Sequence, residues 1–190
     1  MALLATMSSL LIAHMTHLPS NSFDTDVVII GGGPVGLGLA IELGQRGIHC
    51  TLAERYAQPQ PIPKGQNLTQ RTMEHFHFWG AETELRAART IPPEYGIGGL
   101  TAYGSLLSEH HYDWLQRELV KPYYFKANER LPQYATEKVL RERVAQLPNV
   151  RVLYGWDCDT VTQDLGSATV KLTHRQHKQQ EILRAKYVVG

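Results

Sequence analysis

Residues 26–54 have the sequence DVVIIGGGPVGLGLAIELGQRGIHCTLAE, and this stretch decides the fold. The run DVVII at residues 26–30 is typical of a strand that is buried on both faces of a parallel sheet. Large and small apolar residues are interleaved over residues 34–46, which predicts a buried helix that stops at Gly47. A second short strand is predicted over residues 49–54. The pattern indicates the β-α-β unit of an α/β fold.

A glycine pattern, G-x-G-x-x-G, connects the first strand to the helix at Gly31, Gly33 and Gly36. In such a loop the first glycine makes the sharp turn, the second lets a pyrophosphate approach the backbone, and the third lets helix and strand pack closely. Pro34 suits the first helical turn, where its missing N–H costs nothing. The helix N-terminus then offers N–H groups and the positive end of its dipole to phosphates. The loop is therefore a candidate dinucleotide site in a Rossmann-like fold.

An acidic residue, Glu54, ends the second predicted strand about 20 residues beyond the glycines, where such folds bind a ribose. Its carboxylate can accept hydrogen bonds from ribose hydroxyls, and it would repel a 2′-phosphate. The acid therefore argues against NADP at this site. The glycine pattern by itself does not separate FAD from NAD.

The rest of the chain predicts further α/β elements after a proline-rich loop at residues 58–64. A pair of strands near the C-terminus would add an antiparallel β segment to the sheet. The predicted helices span residues 69–79, 82–89 and 136–146, and the predicted strands span residues 150–154, 160–174 and 180–189.

Residues 91–130 are rich in aromatic residues and glycine, and they predict short strands and loops. Two interpretations of these aromatic residues, among them Tyr95, Trp114 and Phe125, stay open. They could form the core of a sheet, or they could form the wall of a pocket for an aromatic substrate.

Four stretches resemble the single-component flavoprotein aromatic hydroxylases, the group that includes para-hydroxybenzoate, phenol and polyketide hydroxylases. The resemblance covers about residues 25–190. The matching stretches are VVIIGGGPVGLGLAIELGQRGIHCTLAER at residues 27–55, the Arg71-Thr72-Met73-Glu74 helix that closes in Gly80, Leu131-Pro132-Gln133 with the helix that follows, and AKYVVG at residues 185–190.

The resemblance implies that FAD is the cofactor, suggests a role for Glu54 and points to four further site residues. Glu54 would hold the adenosine ribose, and Arg55 would lie near the phosphates and the ribose of FAD. Gln133 would contact the ribityl or pyrophosphate region, and Arg141 is a weaker candidate for the same surface. Lys64 stands where the family commonly has an arginine. Lysine keeps the charge but loses the planar fork, so the role in flavin mobility given to that position is in doubt.

The activity implied by the resemblance is hydroxylation of an aromatic, phenolic substrate with O₂, with NADH or NADPH as the reductant of FAD. Because the cofactor carries this chemistry, we assign no catalytic acid or base to the chain. Two alternatives stay open. One is another FAD oxidoreductase, such as an amine oxidase or a halogenase-like enzyme, although the Trp-x-Trp-x-x-Ile segment of halogenases is absent from the sequence. The other is an inactive, truncated flavin-binding module.

The sequence predicts a disordered leader at residues 1–24 and an FAD-binding domain at residues 25–190. That domain would include the start of a substrate-side β region near residues 91–130. In the family, an Asp-Gly motif follows the strand that matches residues 187–190, and a Gly-Asp motif comes later. Neither motif occurs in these 190 residues, so we expect a fragment or a truncated product of a longer protein.

Composition excludes several other classes of protein. The net charge of +1 gives no field that favours nucleic acid or an anionic membrane. No apolar run approaches the roughly 20 residues of a membrane span. Cys50 and Cys158 are too few for a disulfide framework, which indicates reduced thiols in a cytoplasmic protein. No Cys/His spacing matches a metal site, and residues 176–181 predict a solvated turn.

Overall fold

A computed structural model describes residues 22–62, 64–92, 99–114 and 116–190 of the chain. It contains ten strands, five α-helices and one short 3-10 helix in these residues. In chain order the elements are β1 (Thr25–Ile30), α1 (Pro34–Gln45), β2 (Cys50–Glu54), β3 (Asn67–Leu68), α2 (Gln70–Phe78), α3 (Glu82–Ala87), β4 (Leu100–Ala102), β5 (His111–Asp113), α4 (Arg117–Val120), the 3-10 helix (Lys121–Tyr123), β6 (Glu129–Arg130), α5 (Gln133–Val144), β7 (Val150–Tyr154), β8 (Trp156–Gln163), β9 (Ala168–His174) and β10 (Gln180–Val189).

A six-stranded sheet in the order β7-β2-β1-β10-β9-β8 forms the centre of the fold. The first four strands are parallel, with Val28 paired to Thr51 on one side and to Val188 on the other. The last two strands are antiparallel to their neighbours. Since the neighbouring parallel strands β1 and β2 are joined by the helix α1, this is the Rossmann-like α/β arrangement. The predicted fold class, including its added antiparallel segment, is confirmed.

Each face of the sheet is covered by a different part of the chain. On one face, α1, α2 and α5 bury a core that includes Leu37, Ile41 and Phe76. On the other face, the antiparallel segment curls over the parallel strands, so that Val28 is buried together with Val170. The central strand β1 is therefore sandwiched between two layers, which explains its apolar run at residues 27–30.

Two predicted boundaries differ from the structure for local reasons. The helix predicted from residue 136 begins at Gln133, because Pro132 occupies the N-cap position and its fixed φ suits a helix start. The strand predicted over residues 160–174 is two strands with a turn between them. At this turn Asp164 Oδ1 accepts the N–H groups of Gly166 and Ser167, both at 2.8 Å. An Asp two residues before Gly is a turn signal that the sequence prediction missed.

Of the two interpretations of residues 91–130, the sheet core is wrong for the residues that the structure describes. Strands β4 and β5 form an isolated two-stranded hairpin. Tyr103, Trp114 and Tyr123 are all exposed, Tyr123 to 79%. Each strand of this hairpin pairs with only one other strand, and a hairpin of this size cannot bury such rings. Tyr95 lies outside the described residues, and the pocket-wall interpretation stays a prediction.

The chain is attached to the sheet just before β1. Asp24 donates its N–H to the Arg184 carbonyl at 2.9 Å, and its carboxylate accepts the Arg184 N–H at 2.7 Å. Residues 1–21 of the predicted leader lie outside the described residues. Across the described ranges, no helix is long and apolar enough to span a bilayer.

Candidate functional site

The loop between β1 and α1 is built by two glycines that tolerate no side chain. Gly31 has φ +110°, a conformation that strains residues with a side chain, and its N–H bonds to the Ala53 carbonyl at 2.8 Å. A Cβ on Gly36 would collide with the Gly31 carbonyl oxygen. The first helical hydrogen bond runs from the Leu37 N–H to the Gly33 carbonyl at 2.9 Å. Earlier N–H groups of α1 therefore have no helical acceptor and face the loop.

Gly33 differs from its two neighbours in the pattern. A Cβ built on Gly33 would have no atom within 4 Å, and its φ of −76° is available to any residue. The protein's own packing therefore does not require a glycine at this position. The space next to the Gly33 backbone is open, as the approach of a phosphate group would require.

Glu54 is fixed in place at the end of β2 by backbone groups. Its Oε2 accepts the Gly32 N–H at 2.6 Å, and its Oε1 accepts the Tyr56 N–H at 2.7 Å. Each carboxylate oxygen keeps a lone pair for a further donor. A Cβ on Gly32 would lie 2.7 Å from the Glu54 Cβ, so Gly32 must lack a side chain for the carboxylate to lie against the loop. The G-x-G-x-x-G pattern leaves this position unspecified, which is why the sequence prediction missed it.

Two clefts meet at the glycine loop and together contain every predicted site residue. The first cleft has a volume of about 160 Å³, and its lining includes Gly33, Glu54, Arg55, Lys64, Gln133 and Arg141. The second has a volume of about 320 Å³, and its lining includes Gly31, Gly33, Pro34, Gly36 and the apolar side chains Val35 and Val189. Since Gly33 lines both, one extended ligand could occupy the two clefts across the loop.

Arg141 reaches into the first cleft from α5. Its Nη1 donates to the Ala57 carbonyl at 2.8 Å, and its guanidinium lies 4.1 Å from the centre of the Tyr154 ring. Its Nε is buried and has no hydrogen-bond partner in the part of the chain that the structure describes. Burial raises the pKa of the Tyr154 hydroxyl, with a smaller raising effect from Glu54, while the Arg141 charge opposes the shift. The Tyr154 hydroxyl therefore stays uncharged, and its ring packs against the Arg141 guanidinium.

The side-chain nitrogen of Gln133 is bonded to Glu137, a residue that the sequence prediction missed. Its Nε2 donates to Glu137 Oε1 at 2.7 Å, one helical turn further along α5. The amide oxygen of Gln133 is left to face the cleft near Gly65. Gln133 therefore offers the cleft a hydrogen-bond acceptor, which suits a hydroxyl group better than a phosphate oxygen.

The cleft mouth carries the remaining predicted cations. Arg55 and Lys64 are both exposed beside the opening. With Arg141 they place three basic side chains around two carboxylates, those of Glu54 and Glu137. This balance suits a ligand that combines negative phosphates with neutral hydroxyls. No group of three or more potential metal ligands occurs within the described ranges.

Residues 24–190 match the protein-family model described as FAD binding domain. The chain belongs to the FAD binding domain family. The resemblance to flavoprotein hydroxylases that the sequence indicated is thereby confirmed, and FAD is the cofactor of this family. Because the match spans the βαβ unit, the antiparallel segment and everything between them, it concerns the fold as a whole.

Several curated proteins are similar to this FAD binding domain. Aklavinone 12-hydroxylase DnrF of Streptomyces peucetius is 41% identical over 68 residues, which are 36% of this chain and 14% of the relative. Rifampicin monooxygenase of Streptomyces venezuelae is 33% identical over 172 residues, which are 87% of this chain and 31% of the relative. The chain thus spans about a third or less of the length of these relatives.

Solved structures show the same fold. The ternary complex of aklavinone-11 hydroxylase with FAD and aklavinone has a TM-score of 0.75 at 22% identity, over 90% of this chain and 33% of that chain. The flavin-dependent monooxygenase PieE, solved with FAD and substrate, has a TM-score of 0.74 at 23% identity, over 89% of this chain and 30% of that chain. At this identity the likeness concerns the fold alone.

The residues present fit FAD on observations made within this chain. The Gly33 backbone is open on the side of the clefts, and the glycines around it are required by packing. Glu54 is held with free lone pairs, and Gln133 presents an acceptor. A dinucleotide needs a phosphate approach flanked by groups that bind hydroxyls, and the two joined clefts supply both.

Proposed function

We propose that this domain binds FAD as part of an NAD(P)H-dependent flavoprotein monooxygenase that hydroxylates an aromatic, phenolic small molecule with O₂. The observation that carries the proposal is the open Gly33 backbone beside the fixed Glu54 carboxylate, in a chain that belongs to the FAD binding domain family. Similar proteins that are named hydroxylases and monooxygenases support the reaction class.

In this proposal the first cleft binds the adenosine side of FAD. Glu54 accepts hydrogen bonds from the ribose hydroxyls with the lone pairs that Gly32 and Tyr56 leave free. Its charge disfavours a 2′-phosphate, so the site is specific for FAD over NADP. Arg55 lies at the mouth of this cleft, close to the path of the phosphates.

The pyrophosphate would lie against Gly33 and the N-terminus of α1, where backbone N–H groups and the helix dipole stabilise negative charge. Lys64 would add an exposed positive charge at the cleft. Gln133 would accept a hydrogen bond from a ribityl hydroxyl, because its amide nitrogen is engaged by Glu137. Among the described residues, the Arg141 Nε is a donor without a hydrogen-bond partner beside the same cleft.

Bound FAD would supply the redox chemistry, taking electrons from NADH or NADPH and passing one oxygen atom of O₂ to the substrate. The chain's own residues bind and orient the cofactor, and we assign them no proton transfer. The second cleft, lined by Val35 and Val189, would receive the part of FAD that lies beyond the pyrophosphate. The absence of disulfides among the described residues supports a cytoplasmic location.

The identity of the cofactor is tested by releasing it. We expect the protein that contains this domain to purify yellow, and denaturation should release FAD that is identified by chromatography. A non-covalent complex is expected. Colourless protein that cannot be reconstituted with FAD, but that binds NAD, would contradict the proposal.

The reaction is tested with a panel of phenols, by following NAD(P)H consumption and analysing products for added oxygen. Incorporation of oxygen from ¹⁸O₂ into a phenol supports the monooxygenase. Since the 190-residue chain spans a third or less of its relatives, we expect it alone to consume NAD(P)H without hydroxylation, and any reduced flavin to yield hydrogen peroxide. FAD binding without any turnover by the whole protein would instead indicate an inactive flavin-binding module.

A further inference from the structure

The turn between β9 and β10 lies against the strand end that carries Glu54. Gly155 donates its N–H to the Glu54 carbonyl at 2.7 Å, and Arg175 donates its N–H to the Gly155 carbonyl at 2.8 Å. Gly155 has φ +83°, which lets the chain bend sharply between β7 and β8. Two successive backbone hydrogen bonds therefore connect a turn late in the sequence to the proposed adenosine end of the site.

The side chain of Arg175 points from this turn to a residue of the first cleft. Its Nε lies 3.1 Å from the Asp157 carboxylate, and its guanidinium lies 5.4 Å from the centre of the Tyr56 ring. That distance is within the range of a cation–π interaction. Arg175 is thus held by Asp157 on one side while it covers Tyr56 on the other.

Tyr56 connects two of the charged groups of the cleft, Glu54 and Arg141, through its backbone. Its N–H donates to Glu54 Oε1 at 2.7 Å, and its carbonyl accepts from Arg141 Nη2 at 3.4 Å. Any shift of the Tyr56 backbone would therefore change the position of both Glu54 and Arg141. The described residues between Tyr56 and β3, which are 57–62 and 64–66, form no helix or strand, so the ring contact with Arg175 is a tertiary restraint on this segment.

The turn itself is braced, which fixes the direction of Arg175. His174 Nδ1 accepts the N–H groups of Gln176 and His177 at 3.3 and 3.1 Å. The His174 ring stacks on the His177 ring at 4.6 Å and meets the buried Trp156 ring edge-on at 5.3 Å.

We propose that Arg175 is a positioning residue for the adenosine end of the FAD site. It acts through Tyr56, whose backbone sets the Glu54 carboxylate and the Arg141 guanidinium. The inference rests on the proposed FAD function and extends the site to a β-turn more than a hundred residues beyond the glycine loop. Neither the glycine pattern nor the acidic residue after β2 points to this turn.

The test measures the affinity of the 190-residue chain and its variants for FAD and for ADP, by fluorescence titration and calorimetry. Arg175→Gln is expected to weaken binding of both ligands about three- to tenfold, with an unchanged melting temperature. Arg175→Lys keeps the charge and should recover part of the loss. Arg184→Gln is the matched control, because Arg184 lies on the neighbouring strand and makes the same kind of ring contact with Phe23, at 5.5 Å, away from the clefts.

The possible failures are distinguishable. If the unsubstituted chain binds FAD and Arg175→Gln binds it equally well, the positioning role is wrong and the proposed function stands. If Arg175→Gln weakens FAD but not ADP, the effect lies outside the adenosine end and the assignment is overturned. An equal loss in Arg184→Gln would show a general effect of removing an arginine. No saturable binding of FAD by the unsubstituted chain would overturn both the function and the role.

Discussion

The glycine-loop unit (residues 25–56) and the aromatic segment (residues 99–114 and 116–130) are held in place by different forces. In the first, Val28, Leu37 and Leu52 are fully buried between two layers of the fold. In the second, large apolar side chains are exposed, with Leu107 at 95%. The aromatic segment is fixed mainly by charge, as where Lys126 pairs with Glu82 at 2.7 Å.

This difference indicates which of the two regions is stable without the other. Burial of apolar side chains stabilises the loop that would bind FAD without any help from the aromatic segment. The aromatic segment is tied to α2 and α3 by contacts such as the bond from the Phe125 N–H to Glu74 Oε1 at 3.2 Å. Exposed apolar surface of this extent usually marks a contact with a ligand or another domain. The two regions should therefore respond differently to substitution.

The largest effect is expected where the glycine-loop unit is most tightly packed. Gly36→Ala would force a Cβ against the Gly31 carbonyl oxygen, which belongs to the backbone and cannot rotate away. We expect the free energy of unfolding to fall by about 3 kcal/mol, measured by urea denaturation. Gly47→Asn is the control, since Gly47 has a positive φ but open surroundings. An unchanged unfolding midpoint in Gly36→Ala would show that helix and loop are not in close contact.

Gly33→Val tests the same loop for binding and not for folding. No atom lies within 4 Å of the added Cβ, so we expect a normal melting temperature. The branched side chain would occupy the proposed approach of the pyrophosphate, and FAD affinity should fall at least about a hundredfold, or about 2.8 kcal/mol. The measurement is quenching of FAD fluorescence on titration. Affinity like that of the unsubstituted chain would show that the phosphates bind elsewhere.

Glu54→Gln should have a smaller effect on the same equilibrium. Glutamine keeps one acceptor for a ribose hydroxyl but loses the charge, which costs on the order of 1–3 kcal/mol of FAD binding. Glu181→Gln is the matched control, because Glu181 pairs with Arg151 outside both clefts. Equal FAD affinity in the two variants, measured side by side, would show that Glu54 does not bind FAD.

Glu129→Gln tests the ionic attachment of the aromatic segment. The Glu129 carboxylate is buried and lies 3.0 Å from Arg86 and 3.5 Å from Arg89. Loss of its charge should lower the free energy of unfolding by about 1–2 kcal/mol and speed hydrogen exchange in residues 117–128. FAD affinity should not change. Weaker binding of FAD with unchanged exchange would mean that the segment supports the glycine loop.

The smallest effect is expected for alkylation of the two cysteine thiols, whose rates report how readily each region opens. Burial raises the pKa of the Cys50 thiol in β2 to about 11, and burial with the nearby Asp159 raises the pKa of the half-buried Cys158 less far. Because the thiolate is the reactive form, Cys158 should be alkylated first as the pH rises from 8 to 10, and Cys50 only as the pH nears 11 or the chain unfolds. Mass spectrometry of iodoacetamide-treated protein distinguishes the two. Early labelling of Cys50 would show that the glycine-loop unit opens readily.

The sequence predicted the glycine-loop unit to within a residue or two because its signals are local. The apolar run before Gly31 and the stop at Gly47 are each read within a few positions. Gly33 and Glu54 were chosen from the same stretch, and the structure places both in one cleft. The roles of these residues in binding FAD remain predictions, since they depend on the ligand.

Contacts between distant segments could not be predicted in this way. Arg141 bonds to the Tyr56 carbonyl across 85 positions, and only the packing of α5 beside β2 brings them together. The exposure of the aromatic segment could not be predicted, because ring-rich sequences usually mark a core. Tyr103 is exposed because few strands surround it. The Gln133–Glu137 pair has helical spacing, but its relevance appears only once the cleft is known.

The attachment of Asp24 and Phe23 to β10 has a consequence for how the protein can be shortened. Asp24 bonds to Arg184 through both its N–H and its carboxylate, and the Phe23 ring lies under the side chains of Arg184 and Lys186. A version that starts at Thr25 would lose these contacts, and the first residues of β1 should fray. Expression trials should therefore cut the chain no later than residue 22.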